Sequence, residues 1–359
     1  MRKIDKITQE WKAEGLLMPI WAEGDHLCMV DQLKLPKEAP VVEIREVSQL
    51  AKAIKDMSIR GSGAIGIAGV YGMLLESMNT KGDKDAVIRA GLELKATRPT
   101  AVNLMKTVDG LISFTEKCSK EDFSELFEER ACEILVEQLE FEHQLGRNGA
   151  EVIEDGDTIL THCHSGALAG SGFGGRALSV IRTAHLQGKK IHVYTCETRP
   201  YLQGARITAY ELEKFGIPHT LITDGMSGYL MRLGKIQKVV VGSDRVAANG
   251  DLINKIGTYM HAVAARENGV PFYTATSSHT IDFSLKSGMD MGVEYRPGSE
   301  VTHLNGQLIT TANTEALYPA FDVTPNEMIS GIITEAGVIR APYLENLAKL
   351  ETSPIKNTK

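Results

Sequence analysis

Residues 158–166 read Thr-Ile-Leu-Thr-His-Cys-His-Ser-Gly, a short apolar run that breaks into polar side chains and glycine. Four more runs of this kind follow, at 190–194 (Lys-Ile-His-Val-Tyr), 219–222 (His-Thr-Leu-Ile), 238–242 (Lys-Val-Val-Val-Gly) and 272–275 (Phe-Tyr-Thr-Ala). Between them the spacing predicts helices over 175–187, 204–215, 226–234 and 255–268. Short apolar strands alternating with helices indicate an α/β fold, a Rossmann-like parallel sheet with helices on both faces and right-handed crossovers. Ligands in such sheets bind beyond the carboxyl ends of the strands, so the chemistry is expected in the residues that follow each run.

Before residue 150 the texture differs. Helices are expected over 47–57, with Ser48 as N-cap, and over 63–78, 101–115 and 124–145, with short strands at 26–31 and 41–45. This reads as a smaller, mostly helical N-terminal domain with a minor sheet over 1–148. The Rossmann-like catalytic domain then covers 149–350, followed by a polar, flexible tail over 351–359.

The 359 residues are 43% apolar and 24% charged, as in ordinary globular proteins, with 39 Lys+Arg against 46 Asp+Glu and a net charge of −7. That balance excludes a general nucleic-acid or membrane-surface binder, while leaving room for a local basic pocket. No apolar run is long enough for a membrane helix, and the N-terminus lacks the apolar core of a signal peptide. Five scattered cysteines without a Cys-x-x-Cys pair form neither a disulfide framework nor a zinc motif, so a reduced, cytoplasmic protein is expected.

Cys163 follows the first run and precedes a glycine-rich segment that opens a helix, a setting that lowers a thiol pKa. The competing reading is a buried small hydrophobe. Zinc ligation by His162, Cys163 and His164 together is disfavoured, because adjacent residues in a strand point to opposite faces. The second run ends in the polar stretch Cys196-Glu197-Thr198-Arg199-Pro200-Tyr201-Leu202-Gln203-Gly204-Ala205-Arg206, part of which could be structural ion pairs. Asp244 follows the fourth run and is placed to act as general acid or base, or as an N-cap or the partner of Arg245. A tight turn is expected at 249–251. Beyond it, Asn254-Lys255-Ile256-Gly257-Thr258 reads as a helix start that could cradle a phosphate. Arg60-Gly61-Ser62-Gly63-Ala64-Ile65-Gly66 has the spacing of a dinucleotide fingerprint, but the segment before it reads as helix, whereas that motif needs a strand. Arg60, and Arg98 in Arg98-Pro99-Thr100, read instead as anion contacts at helix starts.

These segments together resemble the methylthioribose-1-phosphate isomerase family. Its superfamily includes regulatory subunits of a translation initiation exchange factor and ribose-1,5-bisphosphate isomerase. The resemblance runs from Asp31-Gln-Leu-Lys-Leu-Pro36 through RGSGAIG (60–66), ATRPTAVNL (96–104), THCHSGALA (161–169), ETRPYLQGARITAYEL (197–212), GSDRVAANGD (242–251), NKIGTY (254–259) and PAFDVTP (319–325). It implies an aldose–ketose isomerase acting on a sugar phosphate in a cleft between the two domains. It also implies a homodimer, with no metal and no organic cofactor. The catalytic pair falls on Cys163 and Asp244, and the phosphate and sugar contacts on Arg60, Gly61, Arg98, Gln203, Asn254 and Lys255. The text departs from the family pattern at Ser62, Gly63, His164 and Ser165, and again at 223–228 and Ser243. Those four residues are candidate specificity positions, and 5-deoxyribose 1-phosphate is the alternative substrate. A non-catalytic regulatory protein is the reading from a different class.

Overall fold

The computed structural model describes residues 1–99, 101–119 and 121–351, so the tail expected over 351–359 lies outside the described residues except for Glu351. The chain divides into two compact units. One is Met1–His143 with Gly166–Gly175; the other is Gln144–Ser165 with the chain from Arg176 onward.

In the first unit, helix α1 (Lys3–Ala13) precedes an antiparallel sheet of β1 (Ile20–Glu23), β2 (His26–Val30) and β3 (Val41–Ile44). Five helices follow: α2 (Val47–Lys55), α3 (Ser62–Asn79), α4 (Lys84–Thr97), α5 (Val102–Lys117) and α6 (Phe123–Ala150), whose residues from Gln144 on belong to the second unit. Helix α3 is buried without a break from Ala64 to Leu75, as expected of a central helix that is apolar all round. Ser48 does not cap α2. Glu46 does, in a capping box with Gln49, because its carboxylate and the Gln49 amide satisfy each other's backbone N–H groups. Arg98 is also displaced from its expected place. Asp83 caps α4 by accepting from the N–H groups of Asp85 and Ala86, and the helix runs on to Thr97, so Arg98 closes α4 rather than opening a helix.

The second unit is built on a seven-stranded sheet. It comprises β4 (Thr158–Thr161), β5 (His192–Cys196), β6 (His219–Ile222), β7 (Lys238–Val241), β10 (Phe272–Ala275), β15 (Gly331–Thr334) and β16 (Gly337–Ile339). Their order is β16-β15-β10-β7-β4-β5-β6, parallel except for the edge hairpin of β15 and β16. Helices α7 (Ala177–Leu186), α8 (Ala209–Lys214), α9 (Ser227–Arg232) and α10 (Thr258–Glu267) connect the strands. A second sheet joins β8 (Arg245–Ala247), β9 (Leu252–Lys255), β11 (Ile281–Asp282) and β14 (Phe321–Thr324). The same unit holds a small hairpin, β12 (His303–Leu304) with β13 (Gln307–Leu308), and the short helices α11 (Ser299–Thr302) and α12 (Tyr343–Glu351).

From β4 the chain winds outward to β5 and β6, then returns to β7 on the other side of β4 and winds away through β10 and β15. The switch point of this doubly wound sheet therefore lies between β4 and β7, where such folds open a crevice for ligand. The predicted strands at 158–161, 219–222 and 272–275 stand where expected, while the run at 190–194 is displaced to His192–Cys196. Lys255 does not sit at a helix start. It ends strand β9, and α10 begins only at Thr258, because Leu252-Ile253-Asn254-Lys255 pairs with β8 on one side and β14 on the other.

Candidate active site at the sheet switch point

Cys163 and Asp244 each lie just past one of the two strands that flank the switch point. Those strands are adjacent and parallel, with Ile159 opposite Lys238 and Leu160 opposite Val239. Beyond the strand ends the loops stay in contact, since a side chain at Gly242 would collide with Ser165.

Cys163 has φ +67°, in the left-handed region that non-glycine residues rarely adopt. Three hydrogen bonds hold it there. Its N–H donates to Thr198 Oγ1 (2.8 Å), its carbonyl accepts from Thr208 Oγ1 (2.7 Å), and its sulfur accepts from Gln203 Nε2 (3.2 Å). Thr198 (φ +62°) and Leu202 (φ +59°) are left-handed as well. Three such residues in neighbouring segments store backbone strain, a common property of functional sites. Gln203 is buried, and its Oε1 has no hydrogen-bond partner. The residues after it form one π-helical turn, Gly204–Thr208, ahead of α8. Glycine is required at 204: a Cβ there would lie 1.8 Å from the Cys196 carbonyl oxygen.

Asp244 is exposed, and its N–H donates to the Ile253 carbonyl at 3.1 Å, which sets it beside Asn254 and Lys255 on β9. Asn254 donates to Thr258 Oγ1 (3.1 Å). Lys255 Nζ donates to the Ala320 carbonyl (2.9 Å) and lies 4.5 Å from the ring centre of Phe321. Asp322 accepts from the N–H groups of Gly257 (2.7 Å) and Tyr259 (3.1 Å), and burial pushes its carboxyl up to about 6 despite these donors. Burial also pushes the Tyr318 hydroxyl up to about 12, with Glu300 and then the Cys163 sulfur among the lesser causes.

His164 and Ser165 occupy different surroundings. His164 is buried, with Nε2 2.7 Å from Glu211 Oε1 on α8. The carbonyl of Ser165 accepts from Arg176 N–H (3.0 Å) at the approach to α7. Arg60, Gly61, Ser62, Gly63 and Arg98 belong to the first unit. There Gly61 is the N-cap of α3, with φ +100°, and a Cβ on it would come within 2.5 Å of the Ala169 side chain. Ser62 Oγ accepts from Asn103 Nδ2 (2.7 Å).

Behind the Cys163 loop lies a buried polar cluster that the sequence reading did not assemble. His162 Nε2 is 2.9 Å from the Ile256 carbonyl, and its Nδ1 is 3.1 Å from His261 Nε2 and 3.8 Å from Asp224 Oδ1. His261 Nδ1 meets Ser227 Oγ at 2.8 Å. Asp224 accepts from the backbone N–H of Thr198 (2.8 Å) and of Arg199 (2.7 Å). Burial holds both histidines below their ordinary pKa, and it raises the Cys196 thiol, with Asp224 adding to that rise. His162 and Cys196 carry a local signal, as residues of the polar stretches that end two strands, and Asp224 and Ser227 lie in the 223–228 segment; His261 stands inside a helical pattern with no signal of its own.

The fold and these loops define a doubly wound α/β protein with a thiol and its amide partner beyond one strand of the switch point and a carboxylate beyond the other. Comparison with known proteins places it more closely. The model of the initiation factor 2 subunit family matches residues 58–341. The methylthioribose-1-phosphate isomerase of Thermosipho africanus is 47% identical over 354 residues, spanning 97% of this chain and 99% of its own. The solved 5-methylthioribose 1-phosphate isomerase of Pyrococcus horikoshii superposes with a TM-score of 0.89 at 38% identity, covering 94% of this chain and 96% of its own. A structure from A. fulgidus named as translation initiation factor eIF-2B, subunit delta, gives 0.87 at 39%, covering 93% and 99%. The chain belongs to the methylthioribose-1-phosphate isomerase family, within the wider initiation factor 2 subunit family. Among the described residues no helix is long and apolar enough to cross a membrane.

Proposed function

We propose that this isomerase converts 5-methylthioribose 1-phosphate to 5-methylthioribulose 1-phosphate, with Cys163 and Asp244 as its acid–base pair. The observation that carries the reading is the placing of these two residues after the two adjacent strands of the switch point, the thiol in a strained loop after β4 and the carboxylate in the loop after β7. The names of the relatives at high coverage support the substrate.

The chemistry asks for two groups of tunable pKa. A phosphate on the anomeric oxygen prevents ordinary opening to a free aldehyde, so the ring oxygen must gain a proton as its bond to C1 breaks. A proton or a hydride then passes from C2 to C1, and the C2 hydroxyl gives up its proton. Asp244 serves as the base at C2 or its hydroxyl, and Cys163 as the acid partner. Gln203 donates to the sulfur and keeps a buried carbonyl oxygen for a sugar hydroxyl. Arg60, Gly61, Arg98, Asn254 and Lys255 are assigned to the phosphate and sugar, whose binding orients the reacting carbons. Ser62, Gly63, His164 and Ser165 are assigned to specificity, with His164 acting through its loop because its ring is buried on Glu211.

The test is a paired assay of ketose formation from methylthioribose 1-phosphate and 5-deoxyribose 1-phosphate. A higher kcat/KM for the thio sugar is expected. Preference for the deoxy sugar would transfer the activity to that substrate, and no turnover of either by folded protein would overturn the enzymatic reading.

A further inference from the structure

We propose that His162, Cys196, Asp224 and His261 form a closed tetrahedral site for a zinc-class divalent cation, separate from the isomerisation chemistry. Each residue offers one donor atom, and the four atoms lie within 4.8 Å of one another. Three of the residues are buried and Asp224 is half-buried.

The hydrogen-bond partners allow both histidines to turn a lone pair toward one point. The Ile256 carbonyl can only accept, so His162 carries its hydrogen on Nε2 and turns the Nδ1 lone pair inward. The Ser227 hydroxyl reaches the Asp224 carbonyl at 3.1 Å; with its hydrogen there, it accepts an Nδ1–H from His261. His261 Nε2 and His162 Nδ1 stand 3.1 Å apart, an N–H···N hydrogen bond when the His261 hydrogen is on Nε2, and two lone pairs aimed at one point when a cation moves that hydrogen to Nδ1. A tetrahedral zinc ion with Zn–N bonds of about 2.0–2.1 Å sets two nitrogens about 3.3 Å apart.

The surroundings match those of a metal site. Each histidine has its outer nitrogen on a backbone carbonyl or a hydroxyl, and two backbone N–H groups orient the Asp224 carboxylate. On binding, the Cys196 thiol releases its proton to solvent; thiolate and carboxylate then balance the two positive charges, so the buried site carries no net charge. Two nitrogens and a sulfur select zinc-class ions over magnesium or calcium, and four protein ligands leave no open position, which marks a structural role. The ligands stand after β4, at the end of β5, after β6 and on α10, so one ion would pin four elements beneath the Cys163 loop.

The test uses the full chain, stripped with a chelator and titrated with Co²⁺ alone. One ion per chain is expected, with intense visible bands of tetrahedral cobalt and a sulfur-to-cobalt charge-transfer band that Cys196→Ser removes. Ser227→Ala keeps all four ligands and is expected to weaken Zn²⁺ binding about 10–100-fold. Weak octahedral bands in the unaltered chain, or a charge-transfer band that survives Cys196→Ser, would overturn the site. Should Cys196→Ser fail to fold, unchanged Zn²⁺ affinity in Ser227→Ala would do the same. Tight binding with slow turnover, or turnover without binding, separates this proposal from the isomerase reading.

Discussion

Gly204→Ala tests whether the fold holds Gln203 against Cys163 as the mechanism requires. The new methyl carbon would start 1.8 Å from the Cys196 carbonyl oxygen and 2.9 Å from Thr198 Oγ1. Real contacts of this kind begin near 3.0 Å, so more than an ångström must open between the π-helical turn and the end of β5. The obstacle is backbone, buried and tied into the sheet, and the turn has to yield. Gln203 is the adjacent residue, and its amide is already at 3.2 Å from the sulfur. A retreat of that size breaks the contact. Misplacement by about 1 Å costs on the order of 100-fold in rate, and overpacking costs about 1–3 kcal/mol in stability. Ketose formation should therefore show kcat down about 100-fold, with KM much less affected and a lowered Tm. A folded Gly204→Ala variant with unchanged kcat would refute the role given to Gln203.

Three further outcomes are expected. Cys163→Ser and Asp244→Asn should each lower kcat by about 10²–10⁴-fold while the sugar phosphate still raises Tm; full activity in either removes that residue from the mechanism. Gly61→Ala should destabilise by about 3 kcal/mol, read from the denaturant midpoint, because it adds a glycine-only backbone angle to a clash with Ala169. Asp322 has a folded-state pKa of about 6 against an ordinary value of 3.8, so its folded state holds the proton more tightly. Its contribution is present below pH 3.8 and is lost as pH rises through 6, by at most about 3 kcal/mol. Stability curves of the unaltered chain and of Asp322→Asn should diverge over that window, and parallel curves would contradict the buried setting of the carboxyl.

Much of this was legible in the chain. Apolar runs of four or five residues separated by helical patterns fixed the sheet class, because side-chain periodicity is a local property. Placing chemistry after those runs singled out Cys163, Gln203 and Asp244. The errors arose where neighbouring elements compete for the same residues. Arg98 became the C-cap of α4, strand β9 absorbed Lys255, and Glu46 displaced Ser48 as cap because a carboxylate with a glutamine three residues on closes both backbone donors.

The sequence by itself determined the α/β class, the family resemblance and the motif residues, all of which are written in contiguous text. Only the tertiary structure decided that β4 and β7 are neighbours, so that the loops bearing Cys163 and Asp244 leave adjacent strand ends. It alone brought His162, Cys196, Asp224 and His261 together. Strand order and side-chain clustering depend on contacts between residues far apart in the chain, and no local pattern encodes which strands pair once each has formed.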